Sequence, residues 1–266
     1  MTVDHHPLAA QAGSTRHLLS KVPNVGVSFW IIKVLSTGMG ETASDFLAHR
    51  IGPLPAVGLS GAGLVLALAL QFRARQYLAW VYWSAVVMVS VFGTLAADAV
   101  HIGLGVPYWA SSLGFSVALA SVFVVWQQRE GTLSIHSIFT RRRETFYWLT
   151  VMTTFALGTA VGDFTARTLG LGWLTSGLIF AAIIALPALL RRKLNVSPVL
   201  AFWWAYVLTR PLGASFADWS AVPRGQSGLG VGTGTVTLIL SAVIVLLVAW
   251  LAVRKQGDSA PVSSNH

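Results

Sequence analysis

Apolar residues in this chain come in long unbroken runs, at about 26–48, 54–72, 77–100, 107–127, 145–167, 172–190, 198–220 and 229–253. The runs are continuous rather than alternating, and they are too long for barrel strands. Each is close to the ~20 residues a helix needs to cross ~30 Å of hydrocarbon. The pattern predicts an all-α integral membrane protein with eight transmembrane helices.

The polar positions inside the runs repeat. Trp30, Gly40 and Asp45 have the spacing W-x9-G-x4-D, and it returns as Trp83, Gly93, Asp98, as Trp148, Gly158, Asp163, and as Trp203, Gly213, Asp218. An aromatic residue precedes each tryptophan (Phe29, Tyr82, Tyr147, Phe202) and a small one precedes each aspartate (Ser44, Ala97, Gly162, Ala217). The chain is therefore four tandem two-helix repeats, expected over 26–75, 77–128, 145–193 and 198–255, within one membrane domain spanning 23–255. A basic linker at 128–144 separates two halves. Residues 1–22 and 256–266 are expected as polar tails, the second disordered. Residues 1–25 lack an apolar stretch of signal-peptide type.

Lysine and arginine set the orientation. Arg16, Lys21, Arg73, Arg75, Arg129, Arg141, Arg142, Arg143, Arg191, Arg192, Lys193, Arg254 and Lys255 fall on one side, and only Arg50, Arg167 and Arg224 on the other. This asymmetry places both termini in the cytoplasm and relates the parallel repeats about an axis along the membrane normal. It also accounts for the formal charge of +9 without nucleic acid. Only 10% of residues are charged and 55% are hydrophobic, too little polar surface for a soluble globule. The absence of cysteine excludes disulfides, thiolate metal sites and cysteine nucleophiles.

Each repeat glycine lies four residues before the small residue that precedes the aspartate, so Gly40, Gly93, Gly158 and Gly213 read as notches where two helix backbones approach closely. Trp30, Trp83, Trp148 and Trp203 read as anchors at the headgroup interface. Asp45, Asp98, Asp163 and Asp218 are carboxylates within spans, which are costly and mark a bundle interior or a wet cavity. Local pairing is the competing account: His49, His101 and Arg167 stand at helical-neighbour spacing from Asp45, Asp98 and Asp163. Repeats one and four add charge. Lys33, Thr37, Glu41 and Asp45 form a stripe spaced by four, and Arg210, followed by Pro211, stands in the seventh span. The matching places in repeats two and three are Val86, Ser90, Thr94 and Val151, Phe155, Thr159. A scaffold that needed only symmetric packing would have no use for that asymmetry. No hydrolytic triad or zinc motif is present, so no enzyme activity and no cofactor are expected, and carboxylates alone suit a hard ion or a proton.

The segment KVPNVGVSFWIIKVLSTGMGETASDF at 21–46, with the four spaced tryptophans, resembles the opening of an uncharacterised bacterial membrane family built from four tandem two-helix repeats of unknown function. The resemblance covers about residues 21–255 and implies a multi-pass bacterial inner-membrane protein of eight helices. It implies no activity. From the residues, the expected function is a secondary transporter of a small cation, coupled to or exchanging with protons, in a lipid bilayer. Glu41, Asp45 and Asp218 lead its site, followed by Asp98 and Asp163, with Lys33 and Arg210 as internal counter-charges. The alternative is a non-transporting scaffold or sensor that binds a partner through its basic cytoplasmic face.

Overall fold

The computed structural model describes residues 21–194 and 196–257, and among them every regular element is helical. The helices are α1 (Val27–Ile51), α2 (Pro53–Arg73), α3 (Ala79–Asp98), α4 (Tyr108–Glu130), α5 (Arg141–Asp163), α6 (Trp173–Leu194), α7 (Pro198–Ala221) and α8 (Thr233–Gly257). Short 3₁₀ turns lie at Ile135–Ser137 and Arg224–Gln226. Local chemistry sets several starts: Pro53 and Pro198 occupy first-turn positions, and the Ser197 and Thr140 hydroxyls accept from the backbone N–H groups of Leu200 and Arg143. Gly131 ends α4 in the left-handed conformation at φ 70°.

The odd helices make a closed ring. α1 packs on α3, α3 on α5, α5 on α7, and α7 back on α1. The even helices lie outside it, each on the odd helix of the following repeat: α2 on α3, α4 on α5, α6 on α7, and α8 on α1. The tandem repeat thus closes into a cyclic arrangement, and α8 completes it.

Equivalent positions meet around the whole ring. Each aromatic that precedes a tryptophan packs on the next repeat's tryptophan: Phe29 on Trp83 at 5.8 Å, Tyr82 on Trp148 at 5.6 Å, Tyr147 on Trp203 at 6.3 Å and Phe202 on Trp30 at 5.6 Å between centroids. Each repeat glycine faces the residue three places earlier in the next repeat's register: Gly40 faces Ser90, Gly93 faces Phe155, Gly158 faces Arg210, and Gly213 faces Thr37. Contacts in constant register require the four odd helices to run parallel. Where the incoming residue is a hydroxyl, it donates to the neighbour's backbone, Ser90 Oγ to Ser36 O at 2.9 Å and Thr37 Oγ1 to Thr209 O at 3.1 Å.

Four stretches, Pro53–Arg73, Ala79–Gly103, Tyr108–Glu130 and Thr233–Arg254, are long and apolar enough to cross a membrane, fewer than the eight expected. The physical reason lies in the ring. α1, α5 and α7 carry buried polar and charged residues that lower their apolarity, and the apolar stretch found in α6 is the shorter Trp173–Pro187. Large apolar side chains stand exposed along the outer helices, among them Leu54, Val65, Leu113, Leu178, Leu238 and Leu246.

Three expected segments change their bounds. Of the tail expected over 1–22, residues 1–20 lie outside the described residues, but Lys21 and Val22 are buried in the bundle. Of the second tail, residues 256 and 257 end α8 and the rest lie outside the described residues. The linker expected over 128–144 shortens to the segment between Glu130 and Arg141, and it is packed down: Ile135 and Ile138 are buried, and Glu130 holds both Arg142 and Arg143 at 2.7 and 2.8 Å.

Candidate functional site

The inward residues of the odd helices recur every four positions. A stripe spaced by four drifts by ~40° per step around a straight helix. It can face one axis only if the helices cross, which is the packing that small-xxx-small contacts favour. Four layers result, and each takes one residue from every repeat.

The first layer beyond the aromatic girdle holds Lys33, Val86, Val151 and Tyr206, all fully or nearly fully buried. The Lys33 ammonium has no hydrogen-bond partner and lies 4.1 Å from the Phe155 ring centroid and 4.4 Å from that of Tyr206. Thr37, Ser90, Phe155 and Arg210 form the second layer. The aliphatic stem of Arg210 crosses the Gly158 notch, where no side chain stands in its way.

In the third layer are Glu41, Thr94, Thr159 and Ala214. Here Arg210, which is 0% exposed, delivers its guanidinium to the other three repeats. Its Nη2 donates to Glu41 Oε2 at 2.6 Å, to Thr159 Oγ1 at 2.8 Å and to Thr94 Oγ1, while Nη1 donates to the carbonyl of Thr37 at 3.2 Å. Repeat four thus has alanine in the polar register and fills the space with an arginine from one layer below. The fourth layer is Asp45, Asp98, Asp163 and Asp218, the last two buried and the first two half-buried. Glu41 lies close enough to act on all four carboxylates, Asp45 on the other three, and Asp163 on Asp98 and Asp218. The five acids therefore share one end of the ring.

The local pairing expected for the aspartates occurs once. Arg167 Nε lies 3.3 Å from Asp163 Oδ1 and stacks on Trp173. His49 Nδ1 meets the backbone carbonyl of Asp45 at 2.6 Å. His101 turns to the Val106 carbonyl, Ser111 and the Tyr108 ring. The turn away from Asp98 has a backbone cause, because α3 passes into a π-helical turn, Ala99–Gly103, directly after that aspartate. α5 does the same at Phe164–Thr168.

The tryptophans are a correction. Trp83, Trp148 and Trp203 are 2%, 3% and 4% exposed, so their rings pack on protein rather than on headgroups; only Trp30 stays partly exposed. The cyclic aromatic stacking takes them inside. Sequence reading also missed the reach of Arg167, whose field acts on Asp45 and Asp218 as well as on its partner. It missed a second buried pair at the aromatic end, Lys21 Nζ to Glu144 Oε2 at 2.6 Å, with Gln71 Nε2 donating to the other Glu144 oxygen at 3.0 Å. The signal for Thr94 and Thr159 was present, since both share the register of Glu41. Among the described residues no three His, Asp or Glu side chains are grouped to hold a metal ion.

Fold and site together define a repeat-built helical bundle with four helices apolar enough to span a membrane, apolar outside and charged along its axis. The chain belongs to the family Repeat of Unknown Function (DUF347), whose model matches residues 28–77, 81–132, 146–194 and 201–256. No curated protein and no solved structure matches it.

Proposed function

We propose that this chain crosses the bacterial inner membrane eight times, with both termini cytoplasmic, and works as a secondary transporter of a small cation coupled to or exchanging with protons. One observation carries the reading: Glu41 and four repeat-equivalent aspartates share one end of a single ring, and Arg210 closes the ring beneath them. Carboxylates gathered in an apolar bundle are retained for ion or proton pathways more often than for stability. The eight crossings are supported by the lengths of α1, α5 and α7, 25, 23 and 24 residues, with their polar side chains turned into the ring. The orientation rests on the basic ends of α2, α4 and α8, which lie at the aromatic end of the bundle.

In this mechanism a proton or cation reaching the acidic end competes with Arg210 for Glu41. When the Glu41–Arg210 bond gives way, the guanidinium leaves the axis and the ring opens toward Lys33 and the aromatic girdle. Purified protein in liposomes that enclose a pH-sensitive dye tests this. Imposed gradients from a panel of cations should drive saturable proton movement, abolished in Glu41→Gln and strongly reduced in Asp218→Asn. Proton movement that is absent for every cation would remove the transport reading.

The scaffold reading draws support from pairing, because Arg210–Glu41 and Arg167–Asp163 are already satisfied inside the protein. Under that reading the same variants lose stability and no flux exists to lose.

A further inference from the structure

The axis offers a succession of chemistries. From the acidic end it runs through carboxylates to a station of separate acceptors, then to aromatic faces, and ends in the girdle of Phe29, Tyr82, Tyr147 and Phe202 with their tryptophan partners. The two interior stations are occupied now, and both occupants are nitrogen cations of the chain itself.

The acceptors at the first station are one carboxylate oxygen, two threonine hydroxyls and one backbone carbonyl, all placed around the Arg210 guanidinium. The set serves the N–H donors of a planar nitrogen cation, with three acceptors sharing the two N–H groups of Nη2, one at Nη1, and Nε left without a partner. Divalent metal ions call for about six or more oxygens, against the four protein oxygens gathered here. At the second station the Lys33 ammonium is 1% exposed, lies over two aromatic faces and has no acceptor at all. A site that attracts positive charge through ring faces and supplies no acceptor suits an alkylated ammonium, which has few or no N–H groups to satisfy. The Phe155 ring joins the stations, since the Arg210 guanidinium carbon lies 5.4 Å from its centroid.

We propose that the cation this protein carries is a small organic nitrogen cation, of the guanidinium or alkylammonium class, and that Arg210 and Lys33 occupy its two stations as tethered stand-ins. The inference rests on the transport reading and adds the substrate class to it. An entering cation of this class meets the contacts that Arg210 vacates, so Arg210 need not leave Glu41 unpaired at any point in the exchange. Competition with a tethered ligand makes the affinity weak, which suits release on the far side.

The test uses the full chain in liposomes with an enclosed pH dye, driven by millimolar guanidinium or tetramethylammonium. Neither ion loses a proton near neutral pH, so leakage of a neutral base cannot produce the signal. Both should drive saturable proton movement, and sodium, potassium and magnesium should not. Activity with a metal cation and none with the organic ions overturns the substrate class and leaves the transport reading standing. Inactivity with every ion overturns both.

Two milder variants separate binding from folding. Thr159→Val removes one acceptor and should raise half-saturation for guanidinium by about fivefold, more than that of tetramethylammonium. Tyr206→Leu removes a ring face and should weaken the tetramethylammonium response by about tenfold, more than that of guanidinium. Equal losses for both ions in both variants would point to general damage and overturn the assignment of stations.

Discussion

Arg210 and Glu41 are the pair on which the inner ring depends. Both are nearly excluded from solvent, and the bond between them is 2.6 Å long. Taking both charges out of water is expensive, so the intact pair contributes little net stability, whereas removing one partner strands the other. Arg210→Met should therefore destabilise by about 3–5 kcal/mol, and Glu41→Gln should fall toward the same range. The double variant Arg210→Met with Glu41→Gln should recover most of that loss, as seen in unfolding midpoints of the detergent-purified protein. Additive losses would mean that the two side chains act independently. The identities of both charged residues could be read from the sequence as departures from the repeat. Their partnership could not, because they are 169 positions apart and either could have met another group. His49 and His101 show the converse: ideal spacing suggested carboxylate partners, and backbone carbonyls took both rings.

At the scale of the helix, the small-residue register sets how closely the odd helices approach. At Gly158 a methyl group would lie 2.6 Å from Arg210 Cβ and 3.0 Å from Pro211 Cδ, atoms that cannot swing aside. Gly158→Ala should destabilise by about 1–3 kcal/mol through overpacking, and it should also displace the guanidinium from Thr159 and Glu41. Gly114, on the outer helix α4, has open space where its methyl would go. Gly114→Ala should therefore leave the thermal midpoint unchanged or raise it, since alanine is the better helix former by up to about 1 kcal/mol. A comparable loss in both variants would mean that the notches carry no special packing. The notches were legible because their spacing recurs in all four repeats. The tryptophans were legible as a repeat but not in their placement, since a ring near a helix end suits either headgroups or a neighbouring ring. Stacking from the preceding repeat decided it.

The whole molecule is a four-membered ring of parallel helices inside a second shell, with α8 closing on α1. Because the chain contains no cysteine, its topology can be tested directly with single introduced thiols. Gln128 is exposed at the aromatic end and Gln226 at the acidic end. In intact cells a membrane-impermeant thiol reagent should label Gln226→Cys and not Gln128→Cys, and lysis should expose both. Labelling of both positions in intact cells would contradict the eight-crossing orientation. The sequence alone was sufficient to establish the helices, the fourfold repeat and the polar positions within it, because each is written in local periodicity: apolar run length, the recurrence of Trp, Gly and Asp, and a polar stripe spaced by four. Ring closure, the joining of Arg210 to three other repeats, the gathering of the acids at one end and the burial of the tryptophans were decided by the tertiary structure. Those features depend on which of several chemically suitable neighbours a side chain meets, and that choice is made by packing between segments far apart in the chain.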